Sequence, residues 1–255
     1  MSLGSKLKSL GWYVRRPQFL PHLWYQVALK FKSNEEVHRN GATEWCEQVA
    51  KPVKNVLKEL GLSNRFDKFE ELFPDIYEEA LNEQNDCPVE MGGQGFLDLL
   101  YHIANQFKNP IIVETGVAYG WSSLIFLKSI NNKPNTKLIS IDLPYLQRNN
   151  DDFVGCVVPK HLRSKWILIR SSDRQALPSV LNDLSRLTIC HYDSDKTYHG
   201  RMWAYPRLWN KLEEGGIFIS DDINDNYAFR DFCDKLGKKA KVVKNDGKHI
   251  GILRK

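Results

Sequence analysis

Five acidic side chains follow short apolar runs of the kind that form buried strands, and each run is followed by residues with helical periodicity. They are Glu114, Asp142, Asp193, Asp221 and Asp222. Strands that alternate with helices lie parallel, and ligands of such sheets bind at the carboxyl ends of the strands. We therefore expect the five carboxylates to surround one site.

A glycine turn joins the first of these strands to its helix. Gly116 and Gly120 follow Glu114, and apolar residues at helical spacing begin at Trp121. Ala118 stands where a dinucleotide-binding turn has its middle glycine, and an acidic residue at the strand end would repel a pyrophosphate. A nicotinamide-dependent oxidoreductase is therefore disfavoured. The same carboxylate suits a ligand with an ammonium and a sulfonium, which describes S-adenosylmethionine, and Asp142 is placed to accept its ribose hydroxyls.

Three of the carboxylates predict a metal site. Asp193, Asp221 and Asp222 would repel one another unless a cation or protonation relieved them, and oxygen ligands suit Mg²⁺, Mn²⁺ or Ca²⁺. A cation there would lower the pKa of a bound hydroxyl, and Lys196 is the candidate base, with Asp195 in reserve. The alternative is that Lys196 only pairs with the acidic cluster and that Asp221 and Asp222 cap the next helix.

The rest of the chain predicts the elements that position these residues. Helices are expected over 44–60, over 96–107 and after a capping pair, Asp75 and Glu78. The glycines at 92, 93 and 95 fit either backbone close to a ligand or a hinge. Five strands, each followed by a helix, precede two runs around Asn245-Asp246-Gly247, a hairpin signal. We predict an α/β, doubly wound, Rossmann-like sheet of seven strands with an N-terminal helical extension, divided into residues 1–85 and 86–255.

The composition and the cysteine spacing limit the classes of protein to which this sequence can belong. The chain has 255 residues, 42% of them hydrophobic, and five cysteines without a C-x-x-C pair. The odd count and the wide spacing of the cysteines argue against both a disulfide framework and a zinc site. No apolar run reaches the roughly 18 residues of a membrane span, and Arg15 and Arg16 interrupt the apolar residues near the N-terminus, so we expect a cytoplasmic protein.

The two ends of the sequence are basic, although the net charge is only +5. Residues 1–32 hold six Lys or Arg and no acid, interleaved with aromatic residues such as Trp12 and Trp24. Weak contact with an anionic membrane surface is one interpretation. The other is an arm that packs on the domain or on a partner subunit, as in a homodimer. No nucleic-acid-binding motif accompanies the charge, so we expect no nucleic-acid partner.

Residues 90–255 resemble class I S-adenosylmethionine-dependent methyltransferases. Within this class, three segments resemble cation-dependent O-methyltransferases of the caffeoyl-CoA and catechol type. The glycine turn is matched by E-T-G-V-A-Y-G-W-S at 114–122, and the D-x-x-K loop by Y-D-S-D-K at 192–196. The G-G-x-x-x-x-D-N segment is matched by residues 215–222, which begin with G-G and end with D-D. The stretch from 158 to 223 also resembles bacterial sugar and natural-product methyltransferases. In those a histidine more often stands at the position of Lys196.

The resemblance implies a role for each matching residue. Glu114 and Gly116 would contact the methionine part of the cofactor, Ser122 its carboxylate, Asp142 the ribose, and Ser172 or Asp173 the adenine. Asp193, Asp221 and Asp222 would hold the cation. This sequence departs from the pattern at Asp222, where asparagine is usual, and at S-S-D (171–173), where related chains have G-D-S.

The expected activity is O-methylation of a hydroxylated small molecule, of sugar or natural-product type, assisted by a divalent cation. One alternative is a metal-independent methyltransferase with a histidine or carboxylate base, for which His161, His191 and His199 are candidates. The other is a binding module that keeps the fold without catalysis.

Overall fold

The computed structural model describes residues 11–30, 39–63, 66–144, 151–245 and 247–255. Before the sheet come helices α1 (Leu20–Lys30), α2 (Arg39–Val49), α3 (Val53–Glu59), α4 (Phe69–Leu72), α5 (Pro74–Asp86) and α6 (Leu97–Asn105). The strands are β1 (Ile111–Thr115), β2 (Lys137–Asp142), β3 (Trp166–Arg170), β4 (Leu187–Tyr192), β5 (Leu212–Ser220), β6 (Lys241–Asn245) and β7 (Lys248–Arg254). The helices between them are α7 (Trp121–Ile130), α8 (Asp173–Asp183), α9 (Tyr198–Lys211) and α10 (Ala228–Leu236).

The seven strands form one sheet in the order β3-β2-β1-β4-β5-β7-β6. The pairs among β1 to β5 are parallel, and β7 is antiparallel to both β5 and β6. Gly247 has φ +77° in the turn between β6 and β7. The predicted doubly wound α/β sheet with a C-terminal hairpin is confirmed, and β1 and β4 end side by side in its middle.

Alternate residues of each strand feed two hydrophobic cores, one on either face of the sheet. Ile112 of β1 packs in the core that includes residues of α6 and α7, and its neighbour Val113 packs in the core that includes residues of α8, α9 and α10. Burial on both faces explains why the parallel strands read as continuous apolar runs. It also leaves the carboxyl ends of the strands as the place where polar side chains can gather.

The helix predicted over 44–60 is two helices, α2 and α3. The prediction overlooked Pro52, which has no N–H to donate and takes ψ 140° as the residue before α3. In the break, Ala50 forms a bridge with Val242 of β6, and the Lys51 N–H donates to the Val242 carbonyl at 2.9 Å. The proline thus turns the helical region onto the edge of the sheet.

The capping pair predicted ahead of α5 is also corrected. Phe73 precedes the helix without a side-chain cap, Pro74 is its first residue, and Asp75 lies inside the first turn. Proline at the first helical position needs no N–H partner, so the helix begins there. Among the described helices, none is both long and apolar enough to cross a bilayer.

Candidate active site

A cavity of about 470 Å³ lies at the carboxyl ends of β1, β2, β4 and β5. Its walls include four of the five predicted carboxylates together with residues of the glycine turn, a set comprising Gly116, Val117, Ala118, Ser122, Asp142, Asp193, Asp221 and Asp222. Ser172 and Asp173, after β3, also line it. The volume lies within the range of small-molecule sites. The expected convergence of the strand ends is therefore present.

The glycine turn is packed too tightly for side chains at its two glycines. Gly116 has φ +83°, and a Cβ there would lie 2.4 Å from the Asp193 carbonyl oxygen. Gly120 has φ +97°, and a Cβ there would lie 2.8 Å from the Gly155 Cα. Gly116 lines the cavity, whereas Gly120 is packed against residues 155–158. The second glycine thus shapes the turn from behind.

Asp142 ties the glycine turn to β2. Its Oδ2 accepts hydrogen bonds from the backbone N–H groups of Val117, at 2.7 Å, and Ala118, at 3.2 Å. Its Oδ1 accepts one from Arg170 Nη1 at 2.5 Å. A carboxylate has about four acceptor sites, so one remains for a ligand hydroxyl in the cavity. The ribose contact predicted for Asp142 is compatible with this arrangement.

Glu114 is turned away from the cavity. Its Oε2 accepts from the Ser123 hydroxyl at 2.5 Å and the Ser140 hydroxyl at 2.7 Å, and its Oε1 lies 3.6 Å from His191 Nδ1. Ser140 and His191 are its register partners on β2 and β4, so the three side chains form one buried row across the sheet. The sequence placed Glu114 against the ligand, but strand alternation directs it into the core. Of the row, it is His191 that reaches the cavity.

His191, which the sequence offered as an alternative base together with His161 and His199, is buried at the end of β4. Burial opposes its charged form, but the carboxylates of Glu114, Asp193 and Asp221 outweigh that effect and raise the pKa of His191. Neither ring nitrogen has a hydrogen-bond partner.

Lys196 lies between two of the predicted metal ligands. Its Nζ donates to Asp222 Oδ2 and lies 3.1 Å from Asp193 Oδ1. Burial opposes the ammonium form, but these two carboxylates more than compensate and raise the pKa of Lys196. Lys196 is thus an ion-paired cation in the structure, which is the alternative that the sequence left open to its role as the base.

Asp221, the third predicted metal ligand, accepts a hydrogen bond from the backbone. Asp221 Oδ1 accepts from the Asp222 N–H at 2.9 Å, and burial together with the charges of Asp193 and Asp222 raises the pKa of Asp221 to about 7. Across the described parts of the chain, no three His, Cys, Asp or Glu side chains are placed to hold a metal ion. A divalent cation would have to displace the Lys196 ammonium, so the donor set does not fit the predicted metal.

Asp195, the reserve base, holds elements together. The Oδ2 atom of Asp195 accepts a hydrogen bond from the Tyr25 hydroxyl of α1 at 2.8 Å. Its Oδ1 atom accepts two hydrogen bonds from Thr197, one from the backbone N–H at 3.1 Å and one from the side-chain hydroxyl at 2.8 Å. Thr197 in turn caps α9 by accepting from the Gly200 N–H at 3.0 Å. With both oxygens so engaged, Asp195 serves to position α1 and α9.

The predicted adenine side is formed by the start of α8. The Ser172 hydroxyl donates to Gln175 Oε1 at 2.7 Å, and Asp173 accepts from the Ser194 hydroxyl. Burial raises the pKa of Asp173 to about 6, although the Ser194 hydrogen bond opposes the rise. Both side chains line the cavity, as the resemblance required of an adenine contact.

The cavity also has a wall from α1 that no sequence motif marked, and a wall from the glycines whose role the sequence left open. His22, Tyr25 and Gln26 of α1 line one side, and Gly92, Gly93 and Gly95 line another. The Arg174 guanidinium lies 4.0 Å from the Tyr25 ring centre and holds α1 against the domain. Of the two interpretations of the glycines, backbone beside a ligand site is the one this placement favours. The position of α1 beside the cavity depends on contacts between residues far apart in the sequence, such as Tyr25 with Arg174.

Comparisons with known proteins agree with this architecture. Residues 113–223 match the family model described as a methyltransferase domain. No curated protein sequence matches the chain. An O-methyltransferase from Bacillus cereus, solved with S-adenosylhomocysteine, is 11% identical with a TM-score of 0.56, and the alignment covers 82% of this chain and 100% of that one.

Two further solved structures share the fold. The O-methyltransferase TomG from Streptomyces achromogenes, involved in tomaymycin synthesis and solved with S-adenosylmethionine, is 13% identical with a TM-score of 0.55 over 74% of this chain and 91% of that one. A TDP-rhamnose 3'-O-methyltransferase of calicheamicin biosynthesis is 16% identical with a TM-score of 0.50 over 79% and 92%. The predicted resemblance is confirmed: residues 113–223, from β1 past the end of β5, match a methyltransferase-domain model, and the chain shares the fold of these O-methyltransferase structures.

Proposed function

We propose that the protein is an S-adenosylmethionine-dependent O-methyltransferase that acts on a hydroxylated small molecule. The observation that carries this proposal is the cavity whose floor is the glycine turn and whose wall holds Asp142, at the strand ends of a methyltransferase domain. Sugar-type acceptors are favoured among hydroxylated compounds because one structure of this fold is a TDP-rhamnose methyltransferase.

The residues present fit the cofactor. Gly116 leaves bare backbone at the cavity floor, Ser122 at the start of α7 offers a hydroxyl for a carboxylate, and Asp142 keeps an acceptor site for ribose hydroxyls. Ser172 and Asp173 supply polar groups for the adenine edge. When bound, S-adenosylmethionine supplies an electrophilic methyl group on a sulfonium. The protein's task is then to orient an acceptor oxygen and receive its proton.

The acceptor side of the cavity is built from the acidic cluster and Lys196. The Lys196 ammonium is a fixed positive charge that stabilises negative charge on a nearby acceptor oxygen. This is the role that the sequence analysis assigned to a divalent cation. Asp193 and Asp221 line the same wall and offer carboxylate oxygens for the hydroxyl proton. Because Lys196 already supplies the positive charge, we favour the metal-independent form of the reaction over the metal-assisted one.

Calorimetry with S-adenosylhomocysteine tests the proposal. The wild-type protein should bind it equally well with magnesium and with a chelator. Asp142→Asn, which loses one charged acceptor at the turn, should bind about tenfold or more weakly, the size expected for a charge-assisted hydrogen bond. Asp151→Asn is the matched control because Asp151 shares the Arg170 partner, at 3.2 Å, but lies outside the cavity wall.

The outcomes separate the alternatives. No binding by the wild-type protein would reject the methyltransferase proposal in favour of a binding module for another ligand. Binding that requires magnesium would restore the metal-assisted reaction. Equal weakening in Asp142→Asn and Asp151→Asn would show that the effect comes from Arg170.

A further inference from the structure

Helix α1 has two faces that differ in an unusual way. Its inward face carries His22, Tyr25 and Gln26, which line the cavity. Its outward face is exposed and apolar, with Leu20, Pro21, Trp24, Val27 and Ala28. A surface helix ordinarily presents polar residues to water and apolar residues to the protein. Here the polar side chains of His22 and Tyr25 are half-buried, whereas the apolar side chains of the outward face are exposed.

Exposed large apolar side chains are concentrated in this part of the molecule. Over the residues that the structure describes there are five: Val14 at 69% exposure, Leu20 at 37%, Trp24 at 71%, Val27 at 37% and Ile167 at 48%. Four of the five lie between residues 14 and 27. Single exposed apolar residues are common in soluble proteins, but a contiguous group marks an interaction surface.

The helix is fixed in this orientation. Tyr25 donates to Asp195 at 2.8 Å, and just before α1 the Gln18 carbonyl accepts from Gln175 at 2.5 Å and Arg16 pairs with Asp151 at 3.4 Å. Leu20, Trp24 and Val27 have i, i+4, i+7 spacing and form one stripe. The stripe cannot turn into the domain without breaking these contacts, so its partner must come from outside.

The charge of this part of the sequence identifies the kind of partner. Residues 1–32 contain six basic residues and no acidic one. Of the basic residues whose side chains the structure describes here, Arg15 is exposed and Arg16 pairs with Asp151. A two-fold contact between copies would bring two such arms together and place like charges side by side. An anionic bilayer instead pairs with the basic residues and accepts tryptophan at the level of its headgroups. We infer that the outward face of α1 docks on an anionic lipid surface.

Vesicle co-sedimentation of the whole protein tests this inference and needs no enzymatic activity. Wild-type protein should sediment with vesicles of equal parts phosphatidylcholine and phosphatidylglycerol, less with phosphatidylcholine alone, and less as salt is raised. Trp24→Ser combined with Val27→Ser should weaken binding about tenfold or more, since two apolar side chains leave the interface. Ile167→Ser, equally a loss of an exposed apolar side chain, should bind as the wild type does.

Two results would overturn the inference. One is a wild-type protein that stays in the supernatant with anionic vesicles, or a double variant that binds as well as the wild type. The other is light scattering that shows a wild-type dimer converted to monomer by the double variant, which would assign the face to a second copy. Thermal unfolding of all three proteins checks that the variants are folded.

Discussion

Lys196 takes the position between carboxylates that a metal would otherwise hold. Its ammonium neutralises the charge of the Asp193 and Asp222 carboxylates, and the same two ion pairs restrict the motion of the lysine side chain. The consequence is a site whose positive charge is part of the chain and does not depend on ion supply. Its removal should leave carboxylates that repel one another.

Lys196→Gln should lower the free energy of unfolding by about 1 to 2 kcal/mol, because it leaves partly buried carboxylates without their counter-charge. The variant's melting temperature should rise when magnesium or calcium is added, since a cation can then take the vacated position. The wild-type melting temperature should not change. If the wild type is stabilised by magnesium and destabilised by a chelator, the lysine does not exclude the ion.

The buried carboxyl group of Asp173 should make the free energy of unfolding decrease as the pH rises from about 4 to about 6. Its pKa is about 6 in the folded protein against an ordinary value of 3.8, so the folded state holds a proton that the unfolded state loses between about pH 4 and 6. Asp173→Asn should therefore melt higher than the wild type at pH 7.5 and at the same temperature near pH 4. Thermal scans at both values measure this.

The exposed Asp152→Asn serves as the control for that series, since it removes a carboxylate without removing a buried charge. An Asp173→Asn variant whose stabilisation is the same at both pH values would show that the buried charge is not its cause.

At the scale of elements, the glycine turn is the part with the least tolerance. Gly116→Ala places a methyl group 2.4 Å from the Asp193 carbonyl oxygen and also strains the backbone at φ +83°. Gly237→Ala is a matched control, with φ +62° and no atom within 4 Å. The control should cost about 1 to 2 kcal/mol from the positive φ alone. Gly116→Ala should cost more and should also lose S-adenosylhomocysteine binding.

Urea unfolding and calorimetry of the two glycine variants make the comparison. Equal stabilities would mean that β4 and the turn adjust to the methyl group without loss, and that the close approach is not needed.

The elements also show which features the sequence could predict. Apolar runs and helical spacing are local, so they placed the strands and put Asp142, Asp193, Asp221 and Asp222 at one cavity. The direction of Glu114 depends on register with Ser140 and His191, which no local pattern gives. The pairing of Lys196 required the relative positions of two loops. The position of α1 rests on contacts such as Tyr25 with Asp195, 170 residues apart, which no motif marks.

At the scale of the whole molecule, the sheet has two hydrophobic cores, and over the described parts of the chain their buried residues are different. Leu127 is buried in one core and Leu208 in the other. Leu127→Ala and Leu208→Ala should each cost about 2 to 5 kcal/mol, and the double variant should show the sum within about 0.5 kcal/mol. Chemical denaturation of the four proteins measures this.

Leu124→Ala combined with Leu127→Ala, three residues apart on one side of α7 and in one core, is the control pair in which additivity is not expected. A coupling between Leu127 and Leu208 as large as in that control would show that the sheet transmits strain from one face to the other.

The strand order has a consequence for how the chain folds as it is synthesised. β7 lies between β5 and β6, although both precede it in the chain. Until residues 248–254 have emerged, β5 is paired only with β4, and β6 lacks the strand that joins it to the sheet. During synthesis the edge of β5 is therefore an open template for strands of other nascent chains. A ribosome that pauses before β7 would prolong that exposure, and chaperone dependence should be greatest just before this strand emerges.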